Sequence, residues 1–313
     1  MNMLQDKKEI AALSKRLKKE HRRMLLARIG GNRSLLGGGA ILLVLLAIAA
    51  LGPLLVKFDP TSMDVVNRLK APGAGHLLGT DEFGRDLLTR MVYGTRVSMS
   101  VGLAVSLISS AFGLVIGLYA SYYKLLDHIL MRICDGLIAI PGILLAIALM
   151  AALGASSLNV IGALTIVFTP SIARTVRSAA LVIREQAYVE AMEAQGAGAN
   201  RIIWLHIAPN ALSPLLVQAT FVFAEAIISE VALSFLGAGI PAPAASWGNI
   251  LQAGKLVIGK AWWMIVFPGA AVIFSVLSLN LLGDGLRDLL DPRGKQRRKQ
   301  RQRKMRRLFG RGA

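Results

Sequence analysis

The chain has 313 residues, of which 54% are hydrophobic and only 17% are charged. Too few polar residues are present to cover the surface of a soluble globular protein of this length. The composition therefore excludes a soluble globular protein and predicts an integral membrane protein. The formal net charge of +18 would suit a nucleic-acid binder, but 21 of the 36 basic residues lie in residues 1–33 and 293–313. No nucleic-acid recognition motif accompanies these tails, so we expect them to contact anionic membrane lipid, not nucleic acid.

Apolar, charge-free runs of about 20 residues predict six transmembrane helices, because a charge at the bilayer centre is costly. Before the first run, Ile10, Leu13 and Leu17 at helical spacing predict that the basic arm, residues 1–33, lies on the inner leaflet as an amphipathic helix. The first transmembrane helix is predicted at 34–56, followed by a polar segment at 57–96. The other five are predicted at 97–123, as a two-helix hairpin within 136–173, at 202–238 and at 261–283.

The basic residues set the predicted orientation, because Lys and Arg remain on the cytoplasmic side of a membrane. Six spans place both termini on one side, and the two basic tails place that side in the cytoplasm. The segment 57–96 is then extracytoplasmic, and a polar loop at 185–210 within the five-helix core 97–292 faces the cytoplasm. The predicted fold class is an all-α integral membrane protein with six transmembrane helices.

No catalytic or cofactor site is recognisable in the sequence. The Gly-Lys pairs at 254, 259 and 294 are not followed by the Ser or Thr of a phosphate-binding loop, so the chain is not expected to hydrolyse ATP itself. The four histidines are scattered, and no carboxylate or thiol joins them at metal-ligand spacing, so no metal site is predicted. A channel, a transporter subunit and a membrane enzyme remain open, although no convergent catalytic set supports the enzyme.

A polar segment between two apolar runs carries the most informative motif. It reads Glu190-Ala191-Met192, three residues, Gly196, and after nine further residues His206-Ile207-Ala208-Pro209. This spacing resembles the signature of membrane permeases of binding-protein-dependent ABC importers, with Met192, His206 and Ala208 replacing the usual residues. Three further segments, 78–96, 233–249 and 280–293, are similar in family order to the C-type permease subunits of the dipeptide/oligopeptide/nickel branch.

The resemblance implies a fold and a set of partners. The fold would be the six-helix type I importer permease with both termini cytoplasmic, located in a bacterial cytoplasmic (inner) membrane. The partners would be a homologous permease in a heterodimer, two cytoplasmic ATPase subunits that carry ATP and Mg²⁺, and an extracytoplasmic solute-binding protein. The chain itself would hold no cofactor and would not be an enzyme.

The resemblance also implies a coupling surface and a cargo. The ATPase-coupling residues would be Glu190, Ala191, Met192, Ala194, Gly196, Ala197, His206 and Pro209. The cargo would be a di- or oligopeptide, with nickel or another small solute as the alternative within the same architecture. A secondary transporter, a different class, would need coupling-ion sites and inverted repeats, and neither is visible.

Two groups of charged residues are further candidates. Glu225 and Glu230 lie in the predicted fifth helix and point to different faces; either at least one lines the pathway and binds a peptide ammonium group, or hydroxyls and backbone satisfy them. In the segment 57–96, Asp81, Arg85 and Asp86 either contact the solute-binding protein or form surface ion pairs, which contribute little.

Overall fold

The computed structural model describes residues 29–290 and, before them, the isolated residues Glu20, Arg23 and Ala27. Within that part of the chain the secondary structure is helical, without a β-strand. The α-helices are α1 (Arg33–Leu55), α2 (Leu87–Tyr122), α3 (Lys124–Ile138), α4 (Gly142–Leu153), α5 (Ser157–Arg184), α6 (Ala187–Ala194), α7 (Ala199–Ile202), α8 (Ala208–Phe235), α9 (Trp247–Leu256) and α10 (Trp263–Leu290). The predicted amphipathic helix around Ile10 to Leu17 and the basic tail 293–313 lie outside the described residues.

Five helical stretches are long and apolar enough to cross a membrane, namely α1, α2, α5, α10 and the run Ala199–Phe235 that ends in α8. A sixth crossing is formed if α3 and α4 count as one span, because the pair is apolar enough together but bends by 92°. With 12 residues, α4 alone is about 18 Å long, well short of the ~30 Å hydrocarbon core. The predicted all-α membrane fold is confirmed, with five helical stretches able to cross a membrane, or six if the bent pair is one span.

The predicted hairpin within 136–173 has a turn near its middle, but its first helix is shorter than the prediction requires. Gly154, with φ +84°, ends α4, and Ser156 caps α5. On the other side, α4 starts only after Pro141, since proline lacks a backbone donor and the residue before it avoids helical geometry. The charged helix α3 precedes that break, and its polar face packs on α5 through an ion pair between Asp127 and Arg177.

The helix α2 begins at Leu87, ten residues before the predicted span 97–123. It therefore includes the last part of the predicted polar segment 57–96. The buried Arg90 does not end it, because its Nε lies 3.4 Å from Asp81 Oδ2 and its Nη1 donates to the Pro60 carbonyl at 3.3 Å. With 36 residues, α2 is about 54 Å long and extends beyond the hydrocarbon core.

Small residues bring the helices together where they cross. A Cβ added to Gly113 of α2 would lie 2.5 Å from Ile172 Cγ2 of α5, and one added to Gly117 would lie 2.6 Å from the Ala173 carbonyl oxygen. Such close approach is how membrane helices pack, because lipid provides little hydrophobic drive for their association. The pair α2 and α5 forms the centre, α8 packs against both, and α1 packs mainly on α10.

Candidate functional site

The segment 185–210 folds as two short helices and a π-turn that lead directly into α8. Its first helix, α6, ends in a Schellman motif: the Gly196 N–H donates to the Glu193 carbonyl and the Ala197 N–H to the Met192 carbonyl, both at 3.0 Å. Gly196 has φ +79°, a left-handed conformation that glycine adopts without a side-chain clash. The glycine of the motif therefore turns the chain sharply between α6 and α7.

One face of this segment is built into the hydrophobic core. Val189 is fully buried, and the half-buried Met192 and Ala197 pack against the same cluster. The cluster joins the segment to α2, α5 and α8; its members include Leu118, Ile172, Val176, Ala180, Ile202, Ile203, Ile207 and Ala211. A force applied to α6 would therefore be transmitted to the ends of three membrane helices.

Polar contacts reinforce this attachment at the end of α2. Arg184 Nη1 donates to the carbonyl oxygens of Ser121 and Tyr122, each at 3.1 Å. The Arg184 guanidinium also lies 4.8 Å from the centroid of the Tyr122 ring, a cation–π contact. Tyr119 donates from its hydroxyl to Asn200 Oδ1 at 3.3 Å. These bonds fix the end of α5, just before α6, and the start of α7 relative to α2.

The opposite face of α6 is open. Glu190, Ala191, Glu193 and Ala194 are all exposed, as is Gly196. Two carboxylates thus flank methyl side chains that would let another protein surface approach the backbone closely. The segment also exposes three large side chains that the motif did not indicate: Tyr188 at 43%, Trp204 at 42% and Leu205 at 62%. Exposed apolar groups of this size beside charges are typical of an interaction surface.

The second half of the motif shapes the π-turn Ile203–Ile207 at the start of α8. The Ala208 N–H donates to the Ile203 carbonyl five residues earlier, and the exposed Pro209 follows, which has no N–H to donate. His206 is half-buried, and its carbonyl accepts a bond from Asn210 Nδ2 at 2.8 Å. His206 and Pro209 are therefore placed to set the geometry of the junction with α8.

Glu230 is fully buried where α8 meets α2 and α9. Its Oε2 accepts from the Ser98 hydroxyl at 2.7 Å and its Oε1 from the Ser234 hydroxyl at 2.8 Å. The two hydroxyls in turn accept the Trp247 N–H at 3.3 Å and the Ile240 N–H at 3.1 Å. This arrangement matches the interpretation in which hydroxyls satisfy the carboxylate, and it makes Glu230 a connector between helices. Ser234 lies one helical turn after Glu230, but nothing in the sequence indicates Ser98, 132 positions away, as a partner.

Glu225 lies five residues earlier on the same helix and is exposed at the surface of this chain. Among the described residues, no hydrogen bond or ion pair engages its carboxylate. Its neighbours Ala224 and Ala226 are buried, so Glu225 occupies the uncovered face of α8. An acid at that position of a membrane helix must face a cavity, water or another subunit.

The residues Asp81, Arg85 and Asp86 are buried at the start of α2. Asp81 Oδ1 accepts the Arg85 N–H at 2.9 Å, and its Oδ2 accepts Arg85 Nε at 2.6 Å. Asp86 caps α2 by accepting the Thr89 N–H and hydroxyl, each at 2.8 Å, and contacts His76 Nδ1 at 2.9 Å. These side chains are engaged within the chain, and their contact with a solute-binding protein stays a prediction.

Their neighbours complete a compact connection between α1 and α2. Partial burial raises the pKa of the Glu82 carboxyl above its usual range. At Gly84, where φ is +76°, an added Cβ would lie 1.8 Å from the Asp64 carbonyl oxygen, so only glycine fits. Across the described part of the chain, no group of three or more His, Cys, Asp or Glu side chains is arranged to hold a metal ion.

Comparison with known proteins gives a consistent result. The family model described as binding-protein-dependent transport system inner membrane component matches residues 109–296. A putative peptide transport system permease protein of Brucella abortus is 49% identical over 266 residues, which cover 85% of this chain and 90% of that protein. The dipeptide transport system permease protein DppC of Alkalihalophilus pseudofirmus is 45% identical, in a match that covers 79% of this chain and 82% of that protein.

A more distant relative and a solved structure also match the chain. A probable D,D-dipeptide transport system permease protein of Escherichia coli K12 is 40% identical, in a match that covers 81% of this chain and 86% of that protein. Among solved structures, an inward-facing conformation of the MetNI methionine ABC transporter matches with a TM-score of 0.55 at 20% identity, covering 64% of this chain and 96% of that chain. At that identity the structural match supports the fold alone.

Proposed function

The chain belongs to the family of binding-protein-dependent transport system inner membrane components and is a multi-pass permease subunit of an ABC importer; we propose that it carries di- or oligopeptides. The observation that supports this cargo is that relatives named for peptide or dipeptide transport match 79–85% of the chain at 40–49% identity. ATP and Mg²⁺ bind to separate ATPase subunits in this proposal, and the chain itself has no enzymatic activity.

The proposed coupling surface is the exposed face of α6. Glu190 offers an anion to a basic residue of an ATPase subunit, and Ala191 and Ala194 leave room for close contact. The buried face, anchored by Val189, makes the segment move together with α2, α5 and α8. Closure of the ATPase subunits on ATP would then be transmitted as a movement of these helices, which opens the pathway on the opposite side.

The proposed orientation places the tails and the segment 185–210 in the cytoplasm. If α3 and α4 together make one crossing, this segment and the two tails fall on the same side, and the segment 57–86 falls on the other. Basic residues in both tails support that assignment. The proposed assembly contains a homologous permease as heterodimer partner, two ATPase subunits and an extracytoplasmic solute-binding protein that delivers the cargo.

The proposed pathway residue is Glu225. It presents an unengaged carboxylate on the uncovered face of α8, where an ammonium group of a peptide would be a suitable counter-ion. Glu230, in contrast, is fully buried and bonded to two hydroxyls. We therefore assign Glu230 to the packing of α8 against α2 and α9, and Glu225 to contact with cargo.

A charge reversal in the coupling surface tests the proposal. Glu190→Lys should lower peptide uptake at least tenfold and weaken recovery of the ATPase subunits with the chain, while membrane insertion stays normal. The matched control is Glu185→Lys, which makes the same charge change at an exposed residue outside the motif and should transport normally. Normal uptake by Glu190→Lys would contradict the assigned docking surface.

A further inference from the structure

We propose that a groove between α1 and the start of α2 binds one anionic phospholipid from the leaflet adjoining the segment 57–86. The groove, called here the α1–α2 groove, is a cavity of about 720 Å³. Residues that line it and carry the argument are Val44, Ile48, Leu51, Leu55, Lys57 and Val92. The proposal concerns a lipid site and is independent of the cargo.

The groove lies beside a close crossing of α1 and α2. A Cβ added to Gly52 would lie 2.6 Å from Val92 Cγ1, so the glycine allows the contact. Along the rest of the wall, Val44 is 59%, Leu51 57% and Leu55 79% exposed. These side chains are therefore uncovered by the described part of this chain and form an apolar surface open to lipid.

The dimensions of the groove suit an acyl chain. From Val44 to Leu55 the helix rises about 17 Å, close to half of the ~30 Å hydrocarbon core and hence to one leaflet. Along that length the apolar side chains of α1 face Leu88 and Val92 of α2 across the groove. A lipid tail suits such an apolar cleft, and a helix of a partner subunit is the other occupant that the test must distinguish.

The charge at the open end favours an anionic headgroup. Lys57 is the one cation in the lining, is exposed, and follows α1 directly at the polar end of the groove. The acid at this end, Asp86, is already engaged by His76 at 2.9 Å and by Thr89 at 2.8 Å. Among the described residues no ion pair engages the Lys57 ammonium group, which lies where a lipid phosphate would sit as the tail enters the groove.

Native mass spectrometry of the purified full chain can test the site. The protein would be exchanged into equal amounts of phosphatidylglycerol and phosphatidylcholine, and the tightly retained lipids counted and identified. Ala47→Trp fills the groove, because Ala47 is exposed and lines it; Ala50→Trp adds the same bulk at an exposed position of α1 outside the lining. Lys57→Gln removes the headgroup contact, and Lys70→Gln is its control at another exposed lysine.

We expect one retained phosphatidylglycerol, at least a tenfold loss of it in Ala47→Trp, and no loss in Ala50→Trp. Lys57→Gln should lower the preference for phosphatidylglycerol about fivefold, as one surface charge would, and Lys70→Gln should leave it unchanged. Equal losses in the two tryptophan variants would show nonspecific surface lipid and overturn the proposal. An unchanged lipid preference in Lys57→Gln would overturn the anionic headgroup, and displacement of the lipid by a co-purified permease would overturn the occupant.

Discussion

The attachment of α6 to the membrane helices can be weakened without changing its exposed face. Val189 is fully buried in the cluster that joins α6 to α2, α5 and α8. Val189→Ala removes two methyl groups at about 0.8 kcal/mol each, and the cavity left behind raises the loss to about 2 kcal/mol. Since ~1.4 kcal/mol is a factor of ten, α6 should detach locally about 30 times more often.

Hydrogen exchange measures that detachment directly. Amides of α6 and α7 should exchange up to about 30-fold faster in Val189→Ala, while those in the middle of α5 stay protected. In proteoliposomes with the partner subunits, the number of peptides transported per ATP hydrolysed should fall. ATPase binding should persist, because Glu190 and Ala191 remain in place on the exposed face.

The matched control is Val182→Ala, since Val182 lies on α5 close to the same segment but is 64% exposed. It removes the same two methyl groups and should change neither the exchange rates nor the transport ratio. Unchanged exchange in Val189→Ala would refute the reasoning that this side chain anchors α6. Faster exchange with an unchanged transport ratio would refute the idea that rigid attachment carries the coupling.

Replacement of the two acids of α8 should have different effects. Glu225→Gln should lower uptake of peptides with a free amino terminus more than uptake of blocked peptides. The same variant should leave thermal stability unchanged. Glu230→Ala should destabilise the protein by about 1–3 kcal/mol, because two buried hydroxyls lose their acceptor; equal melting temperatures for the two variants would contradict this division. Gly84→Ala should expose the loop before α2 to proteases, since its Cβ would lie 1.8 Å from the Asp64 carbonyl oxygen. The control is Gly73→Ala, whose Cβ would lie 3.8 Å from its nearest neighbour. This variant should resist proteases as well as the wild type does.

The sequence predicted the membrane class and most spans because charge-free runs are a strong signal. It placed α1 and α10 closely, since both are long, apolar and little buried within the described part of the chain. It missed α3 because that helix carries charges whose partners lie far along the chain: Asp127 pairs with Arg177, and Asp135 with Arg174. Long-range ion pairs of this kind leave no periodic signature in a single sequence.

The same limit applies to the candidate site. The motif marks Gly196 in the sequence, and in the structure the chain turns there with Schellman geometry. A spacing of five residues indicated that Glu225 and Glu230 face different ways, but not which of them is buried. That answer depends on Ser98, which is 132 positions away from Glu230. Packing between distant helices, not local sequence, decides which acid is engaged.

The most direct test of peptide import is uptake of labelled di- and oligopeptides, with nickel in parallel. The cells would lack their other peptide importers and would be compared with and without this chain. Peptide uptake should require the chain and return when the wild-type gene is restored, while nickel uptake stays constant. Loss of nickel uptake with unchanged peptide uptake would keep the permease architecture but contradict the proposed cargo.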